Sequence, residues 1–344
     1  MMERERKKVL FIGPTWMDIY KDIIKGLEEL DYSVDFLREK ASRRDPDNVR
    51  KEFALPKWIY NKKIENYWKK ILSSKEYNKK YDVLFVVDGQ GLHPNLFSIL
   101  KDRNPNLLSV NYLFDTIKGV YRFNKHFSNF DRVYTFDCSE SKEYNINFLP
   151  IYWTPSESAE SIYKFFGMGG FSKERYMFFK DIADYSNDNN MHSFIKIHAT
   201  IPDSDSKYRL KYKLRKMLGL ATYIPPEWYH TEIVCNNTIK PSLFRDYIYK
   251  SDIIVDTSPL HQDGMTARFM WALGAGKKII TTNASIENYD FYSPEFIYIA
   301  DYRKSIKTDA TFNDFVNNTY TEPLSRREII NKYRLDNWLR TLII

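Results

Sequence analysis

Cysteine is scarce: 344 residues contain two, Cys138 and Cys235. They lie far apart and without metal-ligand or redox spacing, which excludes a disulfide framework and fits a reducing compartment. Long apolar runs are missing as well, and nothing approaches the roughly 20 residues that a spanning helix needs. The basic start, Met1 to Lys8, leads only into Val9-Leu10-Phe11-Ile12, which stops at Gly13-Pro14. That run reads as a buried strand and not as an export signal. The expected location is therefore cytoplasmic, with a peripheral contact at the inner membrane as the most a membrane could hold. There is no repeat of 20 to 50 residues, low-complexity tract, basic arm or nucleic-acid motif, and no nucleic-acid partner is expected. A P-loop is also lacking, because no Gly-Lys-Ser/Thr follows the glycine run at Gly167 to Gly170.

What the chain does contain bounds it from the other side. Its length suits two domains of ordinary size. Hydrophobic residues at 43% and charged residues at 28% describe a globular chain that can bury cores, and the net charge of +7 favours an anionic partner. Short apolar runs at Val9 to Ile12, Ser33 to Leu37, Val83 to Val87, Leu107 to Phe114 and Arg132 to Phe136 alternate with helical spacing, as at Ile19, Ile23, Leu27 and Leu30. After Pro150 to Pro155 the alternation begins again. Strands are expected at Ile162 to Phe166, Phe194 to His198, Thr231 to Cys235, Ile253 to Asp256 and Lys278 to Thr282, with Gly167 to Gly170 as a tight loop. The expected class is α/β, with two doubly wound Rossmann-like domains at 1–155 and 156–325 and a final helix over 326–344.

The chemistry concentrates in the second domain. A strand ends at Asp256, a loop carries Gln262 and Asp263, and Gly264 and Met265 lead through Thr266 into a helix with Arg268 in its first turn. Free N–H groups at a helix start beside a guanidinium make a natural diphosphate site. The next strand delivers Asn283 to the same sheet edge, where open α/β sheets bind ligands, so Asp256, Asp263 and Asn283 are candidates for the nucleoside or sugar. Gly169 and Gly170 lead to a helix capped by Ser172 and carrying Arg175, a second candidate for the same anion.

In the first domain, Asp88 and Asp115 each follow a strand, and either could take a proton from an acceptor hydroxyl as general base. Asp203-Ser204-Asp205 reads as helix capping, so no metal is expected. Lys207, Arg209, Lys211, Lys213, Arg215 and Lys216 alternate with Leu210, Leu214 and Leu218. They make a solvated basic face, or one that holds anionic lipid headgroups. Trp58, Tyr60, Tyr67 and Trp68 offer either core or a sugar-stacking wall.

On Gln262 to Asn283, and more weakly on Phe166-Gly167, Arg175, Asn288 to Tyr292 and the Tyr333 to Trp338 segment, the chain resembles GT-B glycosyltransferases. Within them it is similar to bacterial enzymes of lipopolysaccharide-core and capsule synthesis and to the CgeB-like group. The resemblance covers the second half well and the first half only in architecture. It implies two facing domains, the second holding a nucleotide-sugar donor and the first a glycan or glycolipid acceptor, with no cofactor and with the final helix returning to the first domain. One position departs from the pattern. Trp271 stands where many relatives carry the Glu that holds the donor ribose, while Asp263 matches a second acid eight positions earlier. A non-catalytic scaffold that binds nucleotide-sugars or glycans, and a two-domain nucleotide-sugar epimerase, remain the alternatives.

Overall fold

The computed structural model describes residues 6–39, 56–89, 91–118, 123–155, 159–199, 205–217, 224–228, 231–237, 239–259 and 262–344. The chain divides into two compact units, Met1–Tyr152 together with Lys332–Ile344, and Trp153–Asn331. Among the described residues, no helix is long and apolar enough to cross a membrane.

Unit 1 is built on six strands, β1 (Lys7–Gly13), β2 (Tyr32–Arg38), β3 (Val83–Val87), β4 (Leu108–Leu113), β5 (Arg132–Thr135) and β6 (Asn147–Phe148). They form one sheet in the order β2-β1-β3-β4-β5-β6, and every pair is parallel. All five residues of β3 are buried, which explains its unbroken apolar sequence: a central parallel strand is covered on both faces. The helices between the strands are α1 (Ile19–Glu29), α2 (Lys57–Leu72), α3 (Pro94–Arg103) and α4 (Cys138–Tyr144). α1 buries Ile19, Ile23 and Leu27, the apolar stripe that its sequence spacing calls for.

Unit 2 repeats the plan with β7 (Tyr163–Gly170), β8 (Ser193–His198), β9 (Val234–Cys235), β10 (Ser251–Asp256), β11 (Lys278–Thr281) and β12 (Ile297–Ile299). The order is β12-β11-β10-β7-β8-β9, again parallel throughout. Its helices are α5 (Lys173–Asp188), α6 (Asp205–Met217), α7 (Pro241–Tyr249), α8 (Ala267–Gly274), α9 (Ala310–Asn317) and α10 (Leu324–Asn331).

Two local expectations change. Gly167 to Gly170 is not a loop but the second half of β7, paired with β8 from Gly167↔Ile195 to Gly170↔His198. Glycine is needed there for space: a Cβ on Gly167 would lie 3.1 Å from Val255 Cβ and 3.2 Å from both Ile195 and Phe179.

The continuous helix expected over Arg326 to Leu342 is two helices, α10 and α11 (Leu335–Ile343), separated by an extended Arg334 with φ −67° and ψ 146°. The break follows from burial, because α10 buries Ile330 in unit 2 while α11 buries Trp338, Leu339 and Leu342 in unit 1. Trp338 meets Phe85, Tyr112 and Tyr152 at centroid distances of 6.0, 4.6 and 4.9 Å. Gly26 of α1 admits this helix, since a Cβ there would lie 2.7 Å from Leu339 Cδ1.

Candidate functional site

In unit 2 the strand order reverses beside β7, whose neighbours are β8 on one side and β10 on the other. The crevice at the C-terminal ends of such a strand pair is where open α/β sheets take ligands, because the following loops diverge there. A cavity of about 570 Å³ opens at this point. It is lined by the start of α5 (Ser172, Glu174 and Arg175) and by the segments that follow β10 and β11, including Thr257, Asp263 and Asn283.

Arg175 is the cation among the described residues that line the crevice. Ser172 caps α5 by accepting the Arg175 N–H at 3.1 Å, which fixes where the side chain leaves the helix. The guanidinium donates to Thr257 Oγ1 at 2.7 Å, to the Gly170 carbonyl and, at 3.5 Å, to the Thr257 carbonyl. All of these partners are neutral oxygens. Burial and the neighbouring Arg268 push its pKa down to about 10, with Asp256 opposing the shift. Gly169 makes room for this pose, since a Cβ there would lie 3.0 Å from Arg175 Cδ and Nε.

Arg268 is placed differently from the sequence expectation. It is buried, donates from Nε to Asp256 Oδ1 at 2.9 Å and from Nη1 to the Met168 carbonyl, and does not line the cavity. Asp256 also accepts from Thr266 Oγ1 at 2.7 Å, and Thr266 in turn caps α8 by accepting the Phe269 N–H at 3.1 Å. Asp256 therefore ties β10 to α8 instead of facing the cavity. The reason is electrostatic: a guanidinium buried in the first turn of α8 needs a carboxylate, and the end of β10 supplies it.

Gly264, Met265 and Thr266 likewise stand outside the cavity lining, and Met265 is buried. Gln262 Nε2 donates to the Gly264 carbonyl at 3.0 Å, and Asn283 Nδ2 donates to the Asp263 carbonyl at 3.0 Å. Asp263 does line the cavity, with Oδ1 accepting from Ser285 Oγ at 3.0 Å. Sequence reasoning missed Glu174, Thr257, Ser258 and Ser285. The polar pair Thr257-Ser258 directly after an apolar strand was the available signal. Ser258 Oγ is buried and has no hydrogen-bond partner among the described residues.

Trp271, one turn after Arg268 on α8, does not line the cavity. It is buried against α7, with Phe244 at 6.3 Å in edge contact and the Arg245 guanidinium 4.4 Å from its ring centroid. Its position is a packing position, so the absence of a carboxylate there leaves the cavity lining unchanged.

Unit 1 has its own point of reversal, between β1 and β3. The groups gathered there are acidic. Asp88 follows β3 with φ +66°, next to Gly89 at φ +102°. It is buried, and its Oδ1 accepts the Phe114 N–H at 2.9 Å. Burial, then the nearby Glu39 carboxylate, raises its pKa well above the usual carboxylate range, against the pull of the Phe114 N–H. Glu39 itself receives the N–H groups of Gly91 at 2.8 Å and Gly89 at 3.2 Å. Asp115 is exposed, although partial desolvation by the residues packed around it still raises its pKa.

Of the other candidates, Asp203 and Ser204 lie outside the described residues, as does the side chain of Tyr60. Trp68 is core, its Nε1 donating to the Gly91 carbonyl at 2.8 Å, whereas Trp58 is exposed. Among the described residues, no group of three or more His, Cys, Asp or Glu is placed to hold a metal ion.

No family model and no curated protein matches the chain by sequence. Solved structures match it over nearly its whole length. An α,α-trehalose-phosphate synthase (UDP-forming) from Burkholderia vietnamiensis aligns with a TM-score of 0.56 at 11% identity, covering 98% of this chain and 96% of the other. A sucrose-phosphate synthase from Thermosynechococcus elongatus aligns at 0.53 and 11% identity, covering 98% and 97%. A protein described as a UDP-N-acetylglucosamine 2-epimerase from Listeria monocytogenes aligns at 0.53 and 8% identity, covering 98% and 94%. At such identities the likeness is one of fold: two doubly wound α/β units of the GT-B type.

Proposed function

We propose that the protein is a glycosyltransferase that takes a sugar from a nucleotide-sugar donor bound in the unit 2 cavity and passes it to a glycan or glycolipid acceptor. A bacterial surface glycan of the lipopolysaccharide or capsule type is the proposed acceptor class. The carrying observation is Arg175: a half-buried guanidinium whose hydrogen-bond partners among the described residues are all neutral oxygens, in the lining of a cavity at the sheet's point of reversal. A half-buried cation with no carboxylate partner among the described residues favours an incoming anion, and a diphosphate matches the fork of a guanidinium. Glu174 and Asp263, which share the lining, are acceptors for ribose or sugar hydroxyls. The solved structures of like fold include UDP-forming and sucrose-phosphate synthases, which supports a nucleotide-sugar in this position.

In this reading Arg175 stabilises the departing nucleoside diphosphate by charge already in place before the bond breaks. Arg268, paired with Asp256, holds the strand end behind it. For an inverting reaction, Asp115 is the acid that an acceptor hydroxyl can reach, because it is exposed. Asp88, by accepting the Phe114 N–H, is the positioning residue that shapes the turn carrying Asp115. A nucleotide-sugar epimerase is the second reading. It is motivated by the epimerase of like fold and by the acidic cluster in unit 1, which could handle a proton on the sugar itself.

Calorimetry against UDP-, GDP-, CDP- and ADP-sugars tests the donor. At least one should bind, and a folded protein that binds none of them would refute both readings. Incubating the bound nucleotide-sugar alone then separates the two, because an epimerase interconverts it without an acceptor and a transferase does not.

A further inference from the structure

α6 points its hydrophobic side the wrong way for a core helix. Leu210, Leu214 and Met217 are 63%, 51% and 83% exposed, while Tyr208 on the same helix is 5% exposed and donates its hydroxyl to the Ile224 carbonyl at 2.6 Å. At about 100° per residue the three apolar side chains fall within about 60° of one another, opposite Tyr208. Lys207 and Lys211 border that stripe on one side, Lys213 and Arg209 on the other, and all four are exposed. The helix sequence holds six Lys and Arg and a single acid, Asp205. A solvated basic face would carry the lysines outward with leucines inward. Here an outward apolar stripe is flanked by cations on both borders, the arrangement of a helix lying in a lipid interface.

We propose that α6 docks the protein on an anionic lipid surface, with Leu210, Leu214 and Met217 entering the acyl boundary and the flanking lysines and Arg209 meeting lipid phosphates. Tyr208 and its bond to Ile224 clamp the inner face to unit 2, so the stripe stays presented whether or not lipid is there. The lysine stems lie alongside the stripe and carry their charges up to headgroup level. Charge complementarity selects the occupant: a second copy of this chain would have to bring cations against cations across the same borders. The proposal is independent of the nucleotide site.

Sedimentation of the whole protein with phosphatidylcholine vesicles, with and without phosphatidylglycerol, tests it. Binding is expected to the anionic vesicles, to weaken as salt is raised, and to be slight on phosphatidylcholine alone. The double change Leu210→Ser with Leu214→Ser should weaken binding by about tenfold or more. The triple change Lys207→Gln, Lys211→Gln and Lys213→Gln should weaken anionic-vesicle binding and flatten its salt dependence, and it decides the matter on its own if the serine variant loses helicity. Equal binding to neutral and anionic vesicles, or wild-type binding by both variants, would overturn the proposal. So would a wild-type dimer on gel filtration that the serine variant dissolves, since the stripe would then belong to a second copy.

Discussion

The two units use nearly the same scaffold and arm it differently, one with guanidiniums set among carboxylates and the other with carboxylates. Each is a six-stranded parallel sheet with one reversal of strand order, and each gathers ionisable groups at the strand ends beside that reversal. In unit 2 those groups are Arg175 and Arg268 around Asp256, with Glu174 and Asp263 in the cavity lining, and in unit 1 they are Glu39, Asp88 and Asp115. Fold topology therefore fixes where a ligand can sit but not its sign. Sign comes from a handful of residues in the turns, and here unit 2 sets two guanidiniums at the strand ends where unit 1 sets carboxylates. Within unit 2 the two arginines divide again, one paired and walled in, the other facing the cavity.

That division is the sharpest thing to break. Arg268→Ala leaves Asp256 buried without its cation, a loss of about 3–5 kcal/mol. At about 2–4 °C per kcal/mol for a unit of this size, the unit 2 melting transition should fall by roughly 6–20 °C. Calorimetric melting of the variant checks this, and an unchanged transition would mean that the pair does not hold β10 to α8. Arg175→Ala should do the reverse: melting close to wild type, and nucleotide-sugar affinity down about 10- to 100-fold. Arg175→Lys keeps the charge without the fork and should fall in between. If Arg175→Ala bound nucleotide as tightly as wild type, the diphosphate would have to sit elsewhere. A smaller effect follows from Gly169→Ala. The new methyl meets the flexible end of Arg175, which can swing aside at little cost to stability, so affinity should drop about fivefold while melting hardly moves.

Much of the fold was legible because period and apolar content report burial directly. Val83 to Val87 could only be a covered parallel strand, and Ile19, Ile23 and Leu27 could only be one helix face. Gly167 to Gly170 misled because glycine marks both turns and places where something must come close, and here the close neighbours are Val255, Ile195 and the Arg175 side chain. The site was half legible. Sequence identified both arginines and the strand ends, yet it could not say which guanidinium would find a carboxylate. That depends on Asp256 lying within reach of α8 in three dimensions, 12 residues from Arg268 along the chain. Trp271 shows the same limit, since its place in a motif suggested the ribose while its contacts with Phe244 and Arg245 are those of a helix interface.

The acidic side of the comparison yields the subtlest effect. The Asp88 carboxyl has a pKa raised well above 3.8 in the folded chain by burial and by Glu39. A carboxyl raised on folding binds its proton more tightly in the native state, so the stability it contributes is present below the unfolded value and is lost as pH rises through the folded one. Asp88→Asn keeps an oxygen for the Phe114 N–H and removes the charge. Relative to wild type, the melting temperature of the asparagine variant should therefore climb from about pH 4 upward and level off once the native carboxyl has ionised. A constant difference across that range would show that Asp88 ionises freely in the folded protein. Unit 1 would then hold an anionic crevice at neutral pH, and Asp88 would no longer be a place where a proton is held.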